Sequence, residues 1–148
     1  MKVRCKRIFS VRPSKIDLGN QTEDLTVGKE YVVLSVYMGS YISYRIETDC
    51  GDLIILEADQ FEMISRYIPS NWEIIVNSEP GKPYYLRLSP RNWNNAPFDF
   101  YEEITEVSWP LHEWRQYEKI PEVVSLYFQE RDLIYREEEE YEKRNSHA

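Results

Sequence analysis

The stretch from Leu25 to Ser65 constrains the fold most, because it places several strand-like runs between tight turns. Residues Tyr31–Tyr37 are rich in β-branched and aromatic side chains, which favour a pleated, half-buried surface. In Tyr41–Glu47 polar and apolar residues alternate, which is the pattern of a strand with one buried face. The apolar face of that predicted strand holds Ile42, Tyr44 and Ile46, and the other face holds Tyr41, Ser43, Arg45 and Glu47.

Shorter runs complete this set of predicted strands. Leu53–Leu56 is apolar and too short for a helix, and Phe61–Ile64 follows it after Ala58–Gln60, for which we predict one turn of 3₁₀ helix. Lys2–Ile8 is predicted as a first strand, with small apolar side chains on one face and basic ones on the other. Short strands joined by tight turns are typical of a meander that curls into a small barrel.

A hairpin and a short helix are predicted next along the chain. Trp72–Val76 and Tyr84–Leu88 flank the turn Ser78–Pro83, and this hairpin either extends the sheet of the barrel or packs across it. Phe98–Val107 is predicted as a short helix with Asp99 as its N-cap, because an aspartate side chain accepts hydrogen bonds from the first free amides of a helix.

The longest helix is predicted over Pro121–Arg144, because proline suits the first helical position and apolar residues recur along one stripe. Its second half, Arg136–Glu142, is almost entirely charged and is predicted to project into solvent.

No apolar run approaches the roughly 18 residues that a membrane span needs. The absence of a signal peptide, together with only Cys5 and Cys50, predicts a protein of the reducing cytoplasm, although a disulfide between the two is left open.

Three segments resemble a family of small bacterial proteins with an SH3-like barrel. These segments are Lys2–Cys5 with its preceding methionine (MKVRC), Leu25–Tyr31 (LTVGKEY) and Phe61–Ile64 (FEMI). The resemblance covers about residues 1–77 and implies the barrel fold. Ile68–Trp72 and the acidic aromatic region after it are loosely similar to immunity proteins of bacterial toxin systems, and this second resemblance implies no residue roles.

The predicted fold class is α+β and mainly β, within a single domain over residues 1–148. An SH3-like small barrel is expected over residues 1–77, a β-hairpin extension and an acidic aromatic segment over residues 78–110, and a C-terminal helical segment over residues 111–148. The sequence makes no prediction of the oligomeric state.

The chain lacks the sequence motifs of common catalytic and cofactor sites. Neither Gly28-Lys29 nor Gly81-Lys82 has the glycine five residues earlier that a P-loop requires. His112 has no second histidine at helical spacing with which to hold a metal. We therefore expect no enzymatic activity, no metal site and no cofactor.

Charge and aromatic residues together favour a protein-binding function. Residues 91–148 hold 7 Lys/Arg and 14 Asp/Glu, so that −7 of the net charge of −8 lies there. Aromatic anchors within a rim of complementary charge are typical of protein interfaces. The prediction is a non-catalytic module of immunity or inhibitor type that neutralises a basic toxin. Its predicted partner-binding residues are Trp93, Phe98, Asp99, Phe100, Tyr101, Glu102, Glu103, Glu106, Trp109, Glu113 and Trp114.

Other interpretations of the same residues stay open at this point. The aromatic side chains could instead form a lid over the open end of the barrel. Glu102, Glu103 and Glu106 beside aromatic residues have the composition of a glycosidase cleft, but a turn of a surface helix has the same composition, so an enzyme is the least favoured hypothesis. An accessory protein of a mobile element fits equally well. The second hypothesis is nucleic-acid binding by the barrel, and its predicted binding residues are Lys2, Arg4, Lys6, Arg7, Arg12, Lys15, Tyr41 and Tyr44.

Overall fold

Two antiparallel sheets and three helices make up the computed structural model, which describes residues 1–106 and 121–146. The small sheet has the strand order β2-β1-β6, and the large sheet has the order β5-β4-β3-β8-β7. A 3₁₀ turn, Ala58–Gln60, joins β5 to β6. The strands are β1 Lys2–Cys5, β2 Glu30–Val32, β3 Ser35–Met38, β4 Ile42–Glu47, β5 Leu53–Glu57, β6 Phe61–Ser65, β7 Trp72–Asn77 and β8 Tyr85–Pro90, and the helices are α1 Arg91–Asn94, α2 Phe100–Glu106 and α3 Pro121–Ser146.

The mainly β, α+β class is confirmed, whereas the SH3-like barrel over residues 1–77 is not. Within residues 1–106 and 121–146 the strands form two open sheets and no closed barrel. The physical reason lies in the pairing of β3, which has β4 on one side and β8 on the other. Because β8 occupies the edge at which a meander would close, the predicted hairpin extends the large sheet outward.

The single strand predicted over Tyr31–Tyr37 is in fact two strands. β2 pairs with β1 in the small sheet, while β3 belongs to the large sheet, and the change of sheet falls at Val33 and Leu34. Both of these side chains are fully buried. A continuous apolar run therefore corresponds here to a chain that crosses the core between the two sheets.

The two faces of the large sheet have different partners. Register places Val36 and Tyr44 on one face, where Tyr44 packs edge-on against Phe61 of the small sheet, with ring centroids 6.1 Å apart. The opposite face carries Arg45 and Arg87, whose guanidinium groups lie 5.1 Å and 4.1 Å from the ring of Tyr101 in α2. The helices therefore cover the face on which the predicted polar residues of β4 lie.

The charged second half of α3 does not project into solvent, which corrects the expectation for Arg136–Glu142. Glu138 is buried, and its carboxylate accepts hydrogen bonds of 2.9 and 3.0 Å from the Ser65 hydroxyl and lies 2.6 Å from the α-amino nitrogen of Met1. Glu137 accepts hydrogen bonds of 2.8 Å from the Tyr67 hydroxyl and from the Ser70 amide. Only part of the run is exposed, including Glu139 and Glu140.

The first half of α3 docks through both apolar and polar contacts. Val123, Val124, Tyr127, Phe128 and Ile134 are buried in the core, which follows the predicted stripe. Two further contacts carry charge. The carboxylate of Glu130 accepts hydrogen bonds from the amide groups of Asn71 and Asn92, and the carboxylate of Glu47 accepts them from Tyr127, Arg131 and Tyr135.

The predicted N-cap of the short helix is confirmed. Asp99 caps α2, because its Oδ1 atom accepts a hydrogen bond of 3.2 Å from the amide of Glu102. Cys5 is buried, Cys50 is partly buried, and both are free thiols. No helix in residues 1–106 or 121–146 combines the length and apolar character needed to cross a membrane.

Candidate functional site

Two of the predicted anchors, Trp93 and Phe100, are core residues, which corrects their assignment to a partner surface. Each is 1% exposed, and their rings stack with centroids 4.6 Å apart. Tyr127 of α3 stacks on the other side of Trp93 at 5.8 Å, and the indole Nε1 donates to the Leu126 carbonyl oxygen at 3.2 Å. These two aromatic residues join α1, α2 and α3 to one another and are not accessible to a partner in this conformation.

The other predicted residues lie in or next to α2, or outside the described residues. Those at the surface lie at the start of α2, where Asp99 and Glu102 are exposed and Phe98, Tyr101 and Glu103 are half-buried. Glu106 is the last residue of α2. Trp109, Glu113 and Trp114 lie outside the residues that the structure describes.

Phe98 and Asp99 form one wall of a cleft, which we call the hairpin cleft. The cleft has a volume of about 410 Å³ and lies between the tip of the β7–β8 hairpin and the start of α2. Its opposite wall consists of hairpin residues, and Arg87 and Tyr101 also line it. The hairpin residues of the opposite wall are Asn77, Glu79 and Tyr85.

Asn94 organises the polar side chains beside this cleft. Its Oδ1 atom accepts hydrogen bonds from the Tyr101 hydroxyl at 2.7 Å, the Ser89 hydroxyl at 3.0 Å and Arg87 at 3.1 Å. Its amide nitrogen donates to Glu73 at 3.1 Å. Burial raises the pKa of the Tyr101 phenol, so this hydroxyl stays protonated and acts as a donor at neutral pH. The orientation of Tyr101 and Arg87 is therefore set by one amide side chain.

Arg45 lies behind Tyr101 and has an unusual environment for a cation. Burial lowers its pKa to about 10, and within the described chain no carboxylate lies at salt-bridge distance from it. Its Nε atom donates to the Ser35 hydroxyl at 3.3 Å, and its guanidinium faces the Tyr101 ring. The interaction between the large sheet and α2 therefore includes a desolvated positive charge.

A second depression, which we call the helix groove, lies on the other side of Phe98. It has a volume of about 430 Å³, and apolar side chains including Phe98 and Leu126 line most of it. Glu122, in the first turn of α3, contributes a carboxylate at its edge. Phe98 therefore separates a polar cleft from an apolar groove, and acidic residues lie around both: Glu79, Asp99 and Glu122.

Sequence reasoning located one side of this site and missed the other. Phe98, Asp99 and Tyr101 were predicted, whereas Tyr85 and Arg87 were not, although they share one face of a predicted strand. The alternation in β8 was a usable signal for that face. No pattern in the sequence, however, brings the hairpin next to α2, because that contact depends on the pairing of β3 with β8.

The basic face considered for nucleic-acid binding is largely ion-paired. Arg4 contacts Glu30 and Glu62 at 3.3 and 3.1 Å, and Arg12 contacts Glu57 at 2.6 Å. Two lysines of this face are also paired, Lys2 with Glu142 and Lys15 with Asp59. Tyr44 packs inward against Phe61. Phosphate groups would have to displace carboxylates at each of these positions.

No group of three His, Cys, Asp or Glu side chains is arranged to hold a metal ion among the described residues.

A scan against protein-family models finds none that matches this chain, and searches of curated proteins and of solved structures return no match. The relationship to SH3-like barrel proteins and to immunity proteins therefore stays a prediction from the residues that resemble them.

Proposed function

We propose that this chain is a non-catalytic protein-binding module, and that it binds a basic partner through the surface around Phe98. The observation that carries the proposal is the position of Phe98, a half-buried aromatic ring between the hairpin cleft and the helix groove. A partly exposed aromatic side chain between two depressions has the geometry of an interface anchor, because a partner can desolvate it from both sides.

The charges around Phe98 support a basic partner. Asp99 and Glu122 are exposed, and no ion pair to either is found among the described residues. Many other acids in residues 91–148 are used internally, such as Glu130 and Glu138. Asp99 and Glu122 are therefore available for electrostatic complementarity beside the predicted anchor, which favours rapid association with a positively charged surface.

The immunity or inhibitor role remains part of this proposal. A protein that neutralises a toxin has to bind it and needs no catalytic group. The two depressions beside Phe98 and the acidic side chains near them suit such binding. Ion pairing of Arg4, Arg12 and Lys15 makes nucleic acid the weaker candidate, since release of counterions by unpaired cations supplies most non-specific affinity for phosphate.

A pull-down from native cell lysate, with the product of the adjacent gene co-expressed, tests the proposal. We expect a stoichiometric basic protein that is released by high salt. Phe98→Ala should abolish its capture, and Asp99→Asn combined with Glu122→Gln should weaken capture at low salt. Asparagine still caps a helix, so this pair of changes removes charge while α2 stays intact.

The matched control is Glu139→Gln combined with Glu140→Gln, which removes the same charge from an exposed part of α3 far along the helix. This control should bind as the wild type does. Equal weakening by both pairs would indicate a non-specific effect of net charge. Capture that Phe98→Ala leaves unchanged would remove Phe98 as the anchor, and retention of DNA or RNA at low salt would favour the alternative function.

A further inference from the structure

One of the two outer strands of the large sheet, β7, has an apolar side that no described element covers. Ile74 and Val76 are 67% and 64% exposed, and Leu86 on the adjacent β8 is 38% exposed. Register places these three side chains on one face, since Ile74 lies opposite Leu88 and Val76 lies opposite Leu86. The strand therefore presents both an open edge and an adjoining apolar face.

The hydrogen-bonding direction of each β7 residue follows from the bonds at the end of the hairpin. The Arg91 amide donates to the Asn71 carbonyl at 2.8 Å, so Asn71 faces β8, whereas the Trp72 amide turns away and donates to Pro69. Backbone groups of successive strand residues point to opposite sides. In the unbroken register Trp72↔Pro90 to Asn77↔Tyr85, Ile74 and Val76 therefore direct their N–H and C=O groups away from β8.

This edge lacks the features by which strands usually avoid pairing with another chain. Edge strands are commonly protected by charged side chains, especially lysine, by proline or by a bulge. The central residues Ile74, Ile75 and Val76 are uncharged, and no proline or register shift interrupts them. The edge is therefore competent to accept another strand.

We propose that the occupant of this edge is a second copy of the chain, paired antiparallel through β7 about a two-fold axis at Ile75. In that register Ile74 lies opposite Val76 of the other copy, and their outward N–H and C=O groups match. Ile75 lies opposite itself in a pair without direct hydrogen bonds. Glu73 lies opposite Asn77, so the pairing places no like charges against each other.

Charge distribution favours a second copy at this particular surface. The hairpin residues 72–90 contain four charged side chains, Glu73, Glu79, Lys82 and Arg87, which sum to zero, whereas the whole chain carries −8. Two copies that meet through their hairpins therefore bring neutral surfaces together. Repulsion between the net charges acts over a longer distance and is screened by salt.

Self-association should therefore strengthen as salt is added, whereas binding of a basic partner at the Phe98 surface should weaken. Sedimentation velocity over a concentration series, at low and at moderate salt, measures the first effect. We expect twice the monomer mass at high concentration, and loss of the dimer in the Ile74→Lys, Val76→Lys double variant. Ile55→Lys is the matched control, because Ile55 is 48% exposed on β5 at the opposite edge.

Two further variants distinguish strand pairing from a general apolar contact. Val76→Pro removes an amide that points away from β8, so it should abolish the dimer while the hairpin is retained. Ile75→Cys should form a disulfide-linked dimer under mild oxidation, because residues in a pair without direct hydrogen bonds have Cα atoms about 4.5 Å apart. Asn77→Cys is its control and should not cross-link, and both variants carry Cys50→Ser.

Any of three results would overturn the proposal. The first is a monomer at every concentration and salt condition. The second is a dimer that persists in the Ile74→Lys, Val76→Lys variant and in Val76→Pro. The third is a purified complex in which a strand of another protein occupies β7 and the chain alone does not self-associate. None of these results depends on whether a basic partner binds near Phe98.

Discussion

At the residue scale, Arg45 shows what the alternation of polar and apolar residues predicts and what it does not. The pattern of Tyr41–Glu47 correctly separates the two faces of β4, with Ile46 buried on the apolar side. It does not indicate that helices cover the other face and remove Arg45 from solvent. Burial of that cation depends on α2 and its Tyr101, which lie more than fifty residues later in the chain.

We predict that Arg45→Met increases the free energy of unfolding by roughly 1–3 kcal/mol, because it removes a desolvated charge that no described carboxylate compensates. Arg87→Met should instead destabilise the protein, since Arg87 is hydrogen-bonded to Ser89 and Asn94. Urea unfolding at neutral pH measures both. A loss of stability in Arg45→Met would contradict the prediction.

The same position predicts a dependence on alkaline pH. Because burial lowers the pKa of Arg45 to about 10, the folded state loses this proton before the unfolded state does. The stability of the wild type relative to Arg45→Met should therefore rise as pH increases through about 10. Urea unfolding of both proteins between neutral pH and that range measures the difference, and a difference that stays constant would argue against a desolvated guanidinium.

Asp49 illustrates the opposite case, a carboxylate stabilised in its charged form. Burial alone raises its pKa, but hydrogen bonds from Lys29, Thr26 and Tyr31, at 2.6, 2.7 and 2.9 Å, outweigh burial and hold the pKa below its ordinary value. The stabilisation is therefore present above the pKa of the unfolded chain and is lost as pH falls through the folded pKa.

We predict that Asp49→Ala lowers the free energy of unfolding by about 1–2 kcal/mol at neutral pH, because Tyr31 and Thr26 lose their acceptor. Asp49→Asn should cost less, since an amide oxygen still accepts from Tyr31. The difference between wild type and Asp49→Asn should diminish below about pH 4. Chemical unfolding at several pH values provides the measurement, and an unchanged difference in acid would exclude the charged hydrogen bonds as its source.

At the scale of the element, the sequence predicts the position of α3 correctly but not the environment of its second half. Its apolar stripe and the proline at its start predict the helix, whereas the run of glutamates suggests a solvated end. Glu137 and Glu138 instead bind hydroxyl and amide donors near the end of β6. A carboxylate run has the same composition whether or not it meets such donors, so the sequence alone does not distinguish the two cases.

We predict that Glu138→Gln weakens the docking of the second half of α3 by about 1–3 kcal/mol, because a charged acceptor of the Ser65 hydroxyl is lost from a buried site. Hydrogen exchange should show reduced protection after residue 136 and nearly unchanged protection in the first half. Glu139→Gln, an exposed neighbour, serves as the control. Uniform loss of protection along α3 would mean that the helix docks as one cooperative unit.

At the scale of the whole molecule, the two sheets share one core through Val33 and Leu34. Most strands were predicted in type and approximate position, since each combines alternation with clear turn residues such as Gly51. The arrangement of the strands was not, because β3 to β8 pairing joins segments separated by about fifty residues. Long-range pairing of this kind is decided by the packing of both sheets and the helices together, and no local pattern encodes it.

We predict that Leu34→Ala lowers the free energy of unfolding by about 2–5 kcal/mol, because it leaves a cavity at the junction of the two sheets. Thermal transitions followed by far-ultraviolet and near-ultraviolet circular dichroism should still coincide. Val11→Ala, at a position 86% exposed, should have almost no effect. Separate transitions in Leu34→Ala would show that the sheets unfold independently once the junction is weakened.

The contact between Ser65 and Glu138 also has a consequence for the order of events during protein synthesis. These residues are 73 positions apart, and the strand beside Ser65, β1, is the first element of the chain. The ribosome therefore synthesises β1, β2 and β6 well before α3 is complete. Until then the small sheet emerges without the helix that binds its outer strand, and the nascent chain reaches its final packing only when translation has passed Glu138.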